Sequence, residues 1–234
     1  MSARKIVVAV DGPAASGKST VSKAAARELG FVYVDSGALY RIVTYLALRD
    51  GVDTSSPAAL AEFAARAGEG MVDFVVRDGR VAYEVDGAEL GDKIRTPEIN
   101  IHVSPVSASP ETRDLVTGWL RSMRSLGDII VEGRDIGSVV FPDAAHRFYL
   151  DADPDERARR RLKEDLAKGF AKPGAQDAVK ESLLRRDKID STRKAAPLKI
   201  PDGARVIDTT PLNADEVAAI IVAEVRAESA PARM

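Results

Sequence analysis

Short apolar runs alternate with longer stretches of helical periodicity along most of the chain. The runs at residues 6–10, 31–34, 129–131, 147–150 and 205–207 are continuous rather than alternating and are bounded by turn residues. Continuous apolar runs of this length fit strands buried on both faces, and their interleaving with helical periods predicts an α/β fold with a parallel sheet covered by helices.

Helix boundaries are legible from capping chemistry. Thr96-Pro97-Glu98, Ser109-Pro110-Glu111 and Asp153-Pro154-Asp155 each supply an N-cap oxygen, a proline at the first helical position and an acid in the first turn. Gly30, Gly127 and Gly169 stand where helices are expected to stop. The alternation breaks over residues 71–90, where β-type runs are separated by the dipeptides Asp78-Gly79 and Asp86-Gly87. Asp-Gly is a strong hairpin signal, so a small antiparallel insertion is expected there. No internal repeat is visible. Residues 168–177 read as a loop and residues 228–234 as a tail.

Composition narrows the function classes. At 234 residues the chain suits one domain with insertions. The formal net charge of -2 offers no global basic field for nucleic acid or an anionic membrane, so any anion site is local. With no cysteine, disulfides and thiolate metal sites are excluded. His102 and His146 lack metal-ligand spacing and read as structural or surface residues. Trp119 reads as a core or groove residue. The amino-terminal apolar run is too short to span a membrane and carries no cleavage pattern, which leads to the expectation of a cytoplasmic protein with a first buried strand.

Candidate chemistry begins directly after that strand. Residues 12–20 read GPAASGKST, and Gly12, Gly17, Lys18 and Ser19 fill the pattern G-x-x-x-x-G-K-[ST]. In such a loop, backbone N–H groups wrap phosphate oxygens at a helix N-terminus, and glycine is needed where a side chain would block the approach. The lysine meets the β and γ phosphates and the following hydroxyl reaches magnesium. By chance the four positions match in roughly one chain of this length in a hundred, and the strand-loop-helix context lowers that figure further. The expected donor-side contacts are Gly12, Pro13, Ala14, Ala15, Ser16, Gly17, Lys18, Ser19 and Thr20, with ATP as donor and Mg2+ on Ser19.

Phosphate binding alone does not separate an enzyme from a switch, but the Asn-Lys-x-Asp base-reading motif of a guanine-nucleotide switch is missing. The segments DSGALYRIV at 35–43, EGRDIGSVVFPDA at 132–144, and RRDKIDSTR followed by APL at 196–198, taken with the glycine loop, resemble the bacterial cytidylate kinases. The resemblance runs over about residues 6–210. It implies a nucleoside monophosphate kinase fold: a five-stranded parallel core with helices on both faces, an antiparallel β-containing insertion for the monophosphate at 37–108, and a helical lid at 157–185, all within one kinase domain.

The resemblance further implies that Ser36, Arg41 and Arg134 lie around the acceptor phosphate, that Ser104, Arg113 and Asp135 face the pyrimidine, and that Arg186, Asp190 and Arg193 serve the sugar and its surroundings. Cytosine presents an amine beside two acceptors, so a carboxylate opposite the amine and an arginine opposite the acceptors form a matched set. Among the arginines of residues 155–169, Arg157 and Arg161 fit the family's Glu-Arg-Ala-x-x-Arg pattern. They are expected, with Lys18 and Arg134, to act on the transferring phosphoryl group. Glu132 and Ser138 stand where relatives often use aspartate and threonine, and residues 168–184 match least well.

The expected activity is ATP-dependent phosphorylation of CMP and dCMP by a monomer that binds neither nucleic acid nor membrane. A monophosphate kinase with another base preference, for UMP or AMP, and a nucleotide-binding protein without turnover remain as alternatives. Taken singly, Arg41 and Arg113 read equally as solvated helix faces, Arg134-Asp135 as a local salt bridge, and the arginine-rich helix as a surface helix paired with its own acids.

Overall fold

The computed structural model describes residues 5–68 and 70–229. Tail residues 230–234 lie outside the described residues. Five parallel strands form the centre of the sheet: β1 (Val7–Asp11), β2 (Val32–Asp35), β6 (Ile129–Gly133), β7 (His146–Asp151) and β8 (Arg205–Asp208), in the spatial order β2-β6-β1-β7-β8. Each contains one of the five apolar runs, shifted by no more than a residue at its start. Side chains alternate between two cores. Val7, Ala9, Ile129 and Val131 face one cluster, and Val8, Val10 and Ile130 face the other.

Helices cover both faces, as a doubly buried parallel sheet requires. On one side lie α2 (Ser36–Arg49), α3 (Pro57–Arg66), α4 (Pro97–Ala108) and α5 (Pro110–Ser122), contributing Leu39, Leu60, Val103 and Leu120. On the other, α1 (Lys18–Leu29) packs with α8 (Ala214–Ser229). The capping signals hold: the side chains of Thr96, Ser109 and Asp153 accept the N–H groups of Ile99, Thr112 and Asp155, at 3.3, 3.3 and 2.8 Å.

The expected antiparallel segment is β3 (Asp73–Arg77), β4 (Arg80–Val85) and β5 (Ala88–Glu89). At both turns the Asp and the Gly have positive φ, 49° and 71° at Asp78-Gly79 and 53° and 75° at Asp86-Gly87. That left-handed pair is the I′ geometry that matches strand twist, and it explains why Asp-Gly occupies both turns. The hairpin is not a detached layer. Tyr33 of β2 pairs with Arg80, so β4 and β3 extend the core sheet beyond β2.

A helical hairpin of α6 (Pro154–Ala167) and α7 (Gln176–Thr192) follows β7. Its apolar contact with the glycine loop is small, through Ala14, Ala158 and Leu183. Trp119 is partly buried and meets Phe74 edge-on at 6.0 Å. His146 is buried on β7, and His102 Nδ1 lies 2.7 Å from Thr54 Oγ1. Among the described residues no helix is long and apolar enough to cross a membrane.

Candidate active site

Strand β1 ends at Asp11 and α1 begins at Lys18, leaving six residues to make the turn. Gly12 is obligatory there: its φ is 148°, and a Cβ would sit 2.1 Å from the carbonyl oxygen of Leu150. Gly17 has φ 93° and Ala15 φ 61°, so the backbone curls and α1 starts without a side-chain cap. Uncapped N–H groups at a helix start are an anion site. Lys18 Nζ reaches back over the loop and donates to Pro13 O at 2.6 Å and Ser16 Oγ at 3.4 Å. Burial pushes its ammonium down to about 7, helped by the charge of Arg134 and opposed by Glu132 and Asp11.

The loop opens into a cleft of about 1240 Å³. Of the donor-side residues, Ala14, Ala15, Gly17, Lys18, Ser19 and Thr20 line it, whereas Gly12, Pro13 and Ser16 are buried beneath. Ser36, Arg41, Ser104, Arg113, Arg134, Asp135, Arg186, Asp190 and Arg193 all line the same cleft, although they come from α2, α4, α5, the end of β6 and α7. A volume of that order holds ligands larger than one drug-sized molecule.

Within the cleft, charges alternate. Arg113 donates to the Asp135 carboxylate, whose other oxygen lies 3.5 Å from Arg193. Arg193 lies 3.6 Å from Asp190, and Asp190 accepts from Arg134 Nε at 3.1 Å. Asp135, Arg113 and Arg193 are almost wholly buried. Arg113 also donates to Ser107 O at 2.9 Å and stacks its guanidinium over Tyr40 at 5.2 Å. Ser36 Oγ donates to Glu132 O at 2.6 Å. Among the described residues Arg41 donates only to Ile94 O, at 3.3 Å, and burial together with the fields of Arg186 and Arg95 pushes its guanidinium down to about 10. Arg186 is lowered too, by burial first and then Arg134.

The arginine helix divides. Arg161 lines the cleft and pairs with Asp165 at 3.0 Å. Arg157 does not line the cleft. It is 5% exposed, donates to Ala14 O at 3.2 Å and Ala152 O at 3.1 Å, and pairs with Asp187, which itself accepts from Ala14 N at 3.3 Å. Arg157, expected over the phosphoryl group, lies in this structure beneath the glycine loop, bonded to Ala14 O and paired with Asp187. Its place as the fourth residue of α6 puts it against Ala14, while Arg161, one turn later, reaches the opening.

Four residues of the site were not singled out from sequence. Glu132, the penultimate residue of β6, is 5% exposed and accepts from Tyr33 Oη at 2.6 Å. Burial pushes its carboxyl up, as does Asp35, while Lys18 and hydrogen bonds from Ser19 and Tyr33 pull it down. Asp35 caps α2 and pairs with Arg95 at 3.0 Å. Tyr40, 8% exposed in the cleft wall, has an Oη without a hydrogen-bond partner among the described residues. Asp11, wholly buried, accepts two backbone N–H groups from the segment after Asp135. A signal existed for Glu132, since an acid closing the strand beside the first one is where P-loop proteins keep a magnesium-side carboxylate.

The Ser19 hydroxyl and the Glu132 carboxylate form an all-oxygen donor pair next to the lysine, which fits the hard-ion chemistry of magnesium. A helix start without a side-chain cap, a buried cation and two oxygen donors suit a triphosphate. An alternating charge chain with two further arginines suits a second, anionic ligand.

Comparison with known proteins agrees with this arrangement. The family model for cytidylate kinase matches residues 8–227. A cytidylate kinase of Bacillus licheniformis is 40% identical over 92% of this chain and 93% of its own length, and one of Pelotomaculum thermopropionicum is 39% identical over 94% and 96%. A solved structure of an uncharacterized protein from Eubacterium ventriosum is similar in fold alone, with TM-score 0.51 at 11% identity over 95% of this chain and 99% of that one. With the profile spanning nearly the whole chain and the glycine loop, the charge chain and the arginine cleft brought together by the fold, this chain belongs to the cytidylate kinase family.

Proposed function

We propose that this chain transfers the γ-phosphoryl group of ATP to the phosphate of CMP and dCMP, giving ADP and the cytidine diphosphates. The observation that carries this reading is the buried Asp135 carboxylate, held by Arg113 and Arg193 in the wall of a cleft shared with the glycine loop. A carboxylate with an adjacent guanidinium matches the amine and acceptor edge of cytosine. Uracil would set an oxygen against it, and a mismatched buried polar contact of that kind costs ~1–3 kcal/mol.

Residues 12–20 cradle the donor phosphates, and Ser19 and Glu132 are the residues that would hold magnesium. The ion, when bound, neutralises phosphate oxygens. Lys18 supplies a charge that it also carries into the transition state. Ser36, Arg41, Arg134 and Arg186 hold the acceptor phosphate, and Ser104, Arg113 and Asp135 read the ring. Asp190 and Arg193 orient the sugar side, and Arg161 lies over the phosphoryl group when the lid closes. An acceptor phosphate oxygen attacks the γ-phosphorus in line as the bond to the β-γ bridging oxygen breaks. No covalent enzyme intermediate forms, so alignment, charge neutralisation and exclusion of water are what the site contributes.

Residues 37–108 act as the acceptor-holding insertion and 157–185 as the lid, with the rest as the donor-binding core, in a monomer. The test is a coupled assay of ADP release with CMP, dCMP, UMP and AMP as acceptors. CMP and dCMP should exceed UMP and AMP by at least tenfold in kcat/KM. Equal use of UMP, or no diphosphate from CMP, overturns the reading.

A further inference from the structure

We propose that Asp11 is a positioning residue for acceptor recognition: its carboxylate fastens the segment carrying Arg134 and Asp135 to the strand that carries the glycine loop. The claim rests on the acceptor reading above and extends it to a residue that touches neither nucleotide.

Asp11 is the last residue of β1, pairs in register with Gly133 of β6, and immediately precedes Gly12. Its side chain has no exposed surface. One carboxylate oxygen accepts the N–H of Ile136 and the other that of Gly137, each at 2.8 Å. Those donors open a single π-type turn at Ile136–Val140, the residues directly after Arg134 and Asp135. Single π turns recur at functional sites because they set side chains where a regular helix would not. Here the turn begins with free N–H groups in a buried place, and a carboxylate is the one side chain of this length with two acceptors to satisfy both.

The fastening is tight from every side. A Cβ on Gly133 would fall 2.6 Å from Ser36 Oγ, and one on Gly137 3.3 Å from Asp11 and 3.1 Å from both Arg147 and Pro201. Keeping the carboxylate there is costly. Burial pushes its carboxyl up to about 6, and Asp135 adds to that, against the two N–H groups and Lys18. What this carboxylate gives is register: donor loop and acceptor-reading segment leave adjacent strands, and Asp11 sets the offset between Lys18 on one and Arg134-Asp135 on the other. Displacing a recognition group by ~1 Å is enough to lose much of its contribution.

The experiment is steady-state kinetics of Asp11→Asn with CMP and UMP, beside thermal melting and calorimetric ATP binding without acceptor. Expected are a rise of about tenfold in KM for CMP, a fall in the CMP:UMP ratio of kcat/KM, a smaller change in ATP affinity, and a lowered Tm, since the amide accepts only one of the two buried N–H groups. Folded Asp11→Asn with KM and the CMP:UMP ratio unchanged overturns the proposal, as does an equal loss for both acceptors, the mark of general destabilisation. Gly137→Ala provides a second route. It pushes the same turn off the carboxylate without altering Asp11, and it decides the matter if Asp11→Asn fails to fold: a lowered CMP:UMP ratio supports the fastening, an unchanged one sinks it. The wild-type control keeps the two readings apart. No transfer to CMP by the wild type removes the acceptor reading and this one with it, whereas an active wild type with indifferent variants removes this one alone.

Discussion

Arg41 on α2 and Arg186 on α7 line one cleft as like charges, and after burial the field of Arg186 is the largest influence lowering the proton affinity of Arg41. The other arginines facing the acceptor are engaged: Arg113 and Arg193 with Asp135, Arg134 with Asp190. Among the described residues neither Arg41 nor Arg186 forms an ion pair. Two half-buried, repelling guanidinium groups are a place prepared for a doubly negative phosphate, because the ligand supplies the charge that the protein withholds.

Arg41→Ala is therefore expected to leave the free protein as stable as the wild type or slightly more so, since it relieves repulsion. It should raise KM for CMP by roughly 10- to 100-fold, the loss of one charge-assisted contact at 1.5–3 kcal/mol. Melting curves with and without CMP check both halves. A large drop in Tm without ligand would contradict the relief of repulsion.

Lys18 predicts a proton linkage. In the free protein its ammonium is held down to about 7 by burial, then by Arg134, so above that pH the folded chain carries fewer protons than the unfolded one. Its contribution to stability accordingly rises with pH between about 7 and 10.5 and is lost as pH falls through that window. A bound triphosphate reverses the balance and draws the proton back. Calorimetry of ATP binding at pH 8 in buffers of different ionisation enthalpy should show proton uptake approaching one equivalent, fading below pH 6 and abolished in Lys18→Met. Uptake that is absent at pH 8 would refute the linkage.

Arg157 shows where reading the sequence stopped. Its family pattern marked it for the phosphoryl group but did not reveal its contact with the glycine loop, because whether a helix residue lies in a cleft or under a loop depends on how α6 meets the turn at Ala14, which no spacing records. The glycine loop, the five strands, the proline-started helices and both Asp-Gly turns were legible because each depends on local backbone chemistry. Asp11 was not, because a single acid at a strand end looks like any turn residue until strand register sets it against its neighbour. The nine acceptor-side residues needed the family resemblance, since no local rule separates an arginine in a cleft from one in water.

Removing Arg157 leaves Asp187 without its partner and frees Ala14 O. Breaking one member of a buried ion pair costs about 3–5 kcal/mol, somewhat less here because Asp187 retains some exposure. Arg157→Ala should lower Tm and weaken ATP binding while KM for CMP stays within about twofold, and a double-mutant cycle with Asp187→Ala should show coupling above about 1 kcal/mol. If Arg157→Ala instead keeps full stability and loses only kcat, the residue acts on the phosphoryl group after all.

Asp135→Asn tests base reading at one atom. The substitution keeps shape, removes the charge that Arg113 and Arg193 share, and turns part of an acceptor into a donor. Toward cytosine the amine loses its best partner, so kcat/KM for CMP should fall by about 100-fold. Toward uracil the new N–H₂ meets an oxygen, so the fall should be smaller and the CMP:UMP ratio should shrink by at least about tenfold. The same change leaves Arg113 buried beside a neutral group, which lowers stability by about 1–3 kcal/mol whatever acceptor is used. The ratio, not the activity, is therefore the quantity to measure: destabilisation scales both acceptors together, and only a carboxylate facing the ring edge moves one against the other.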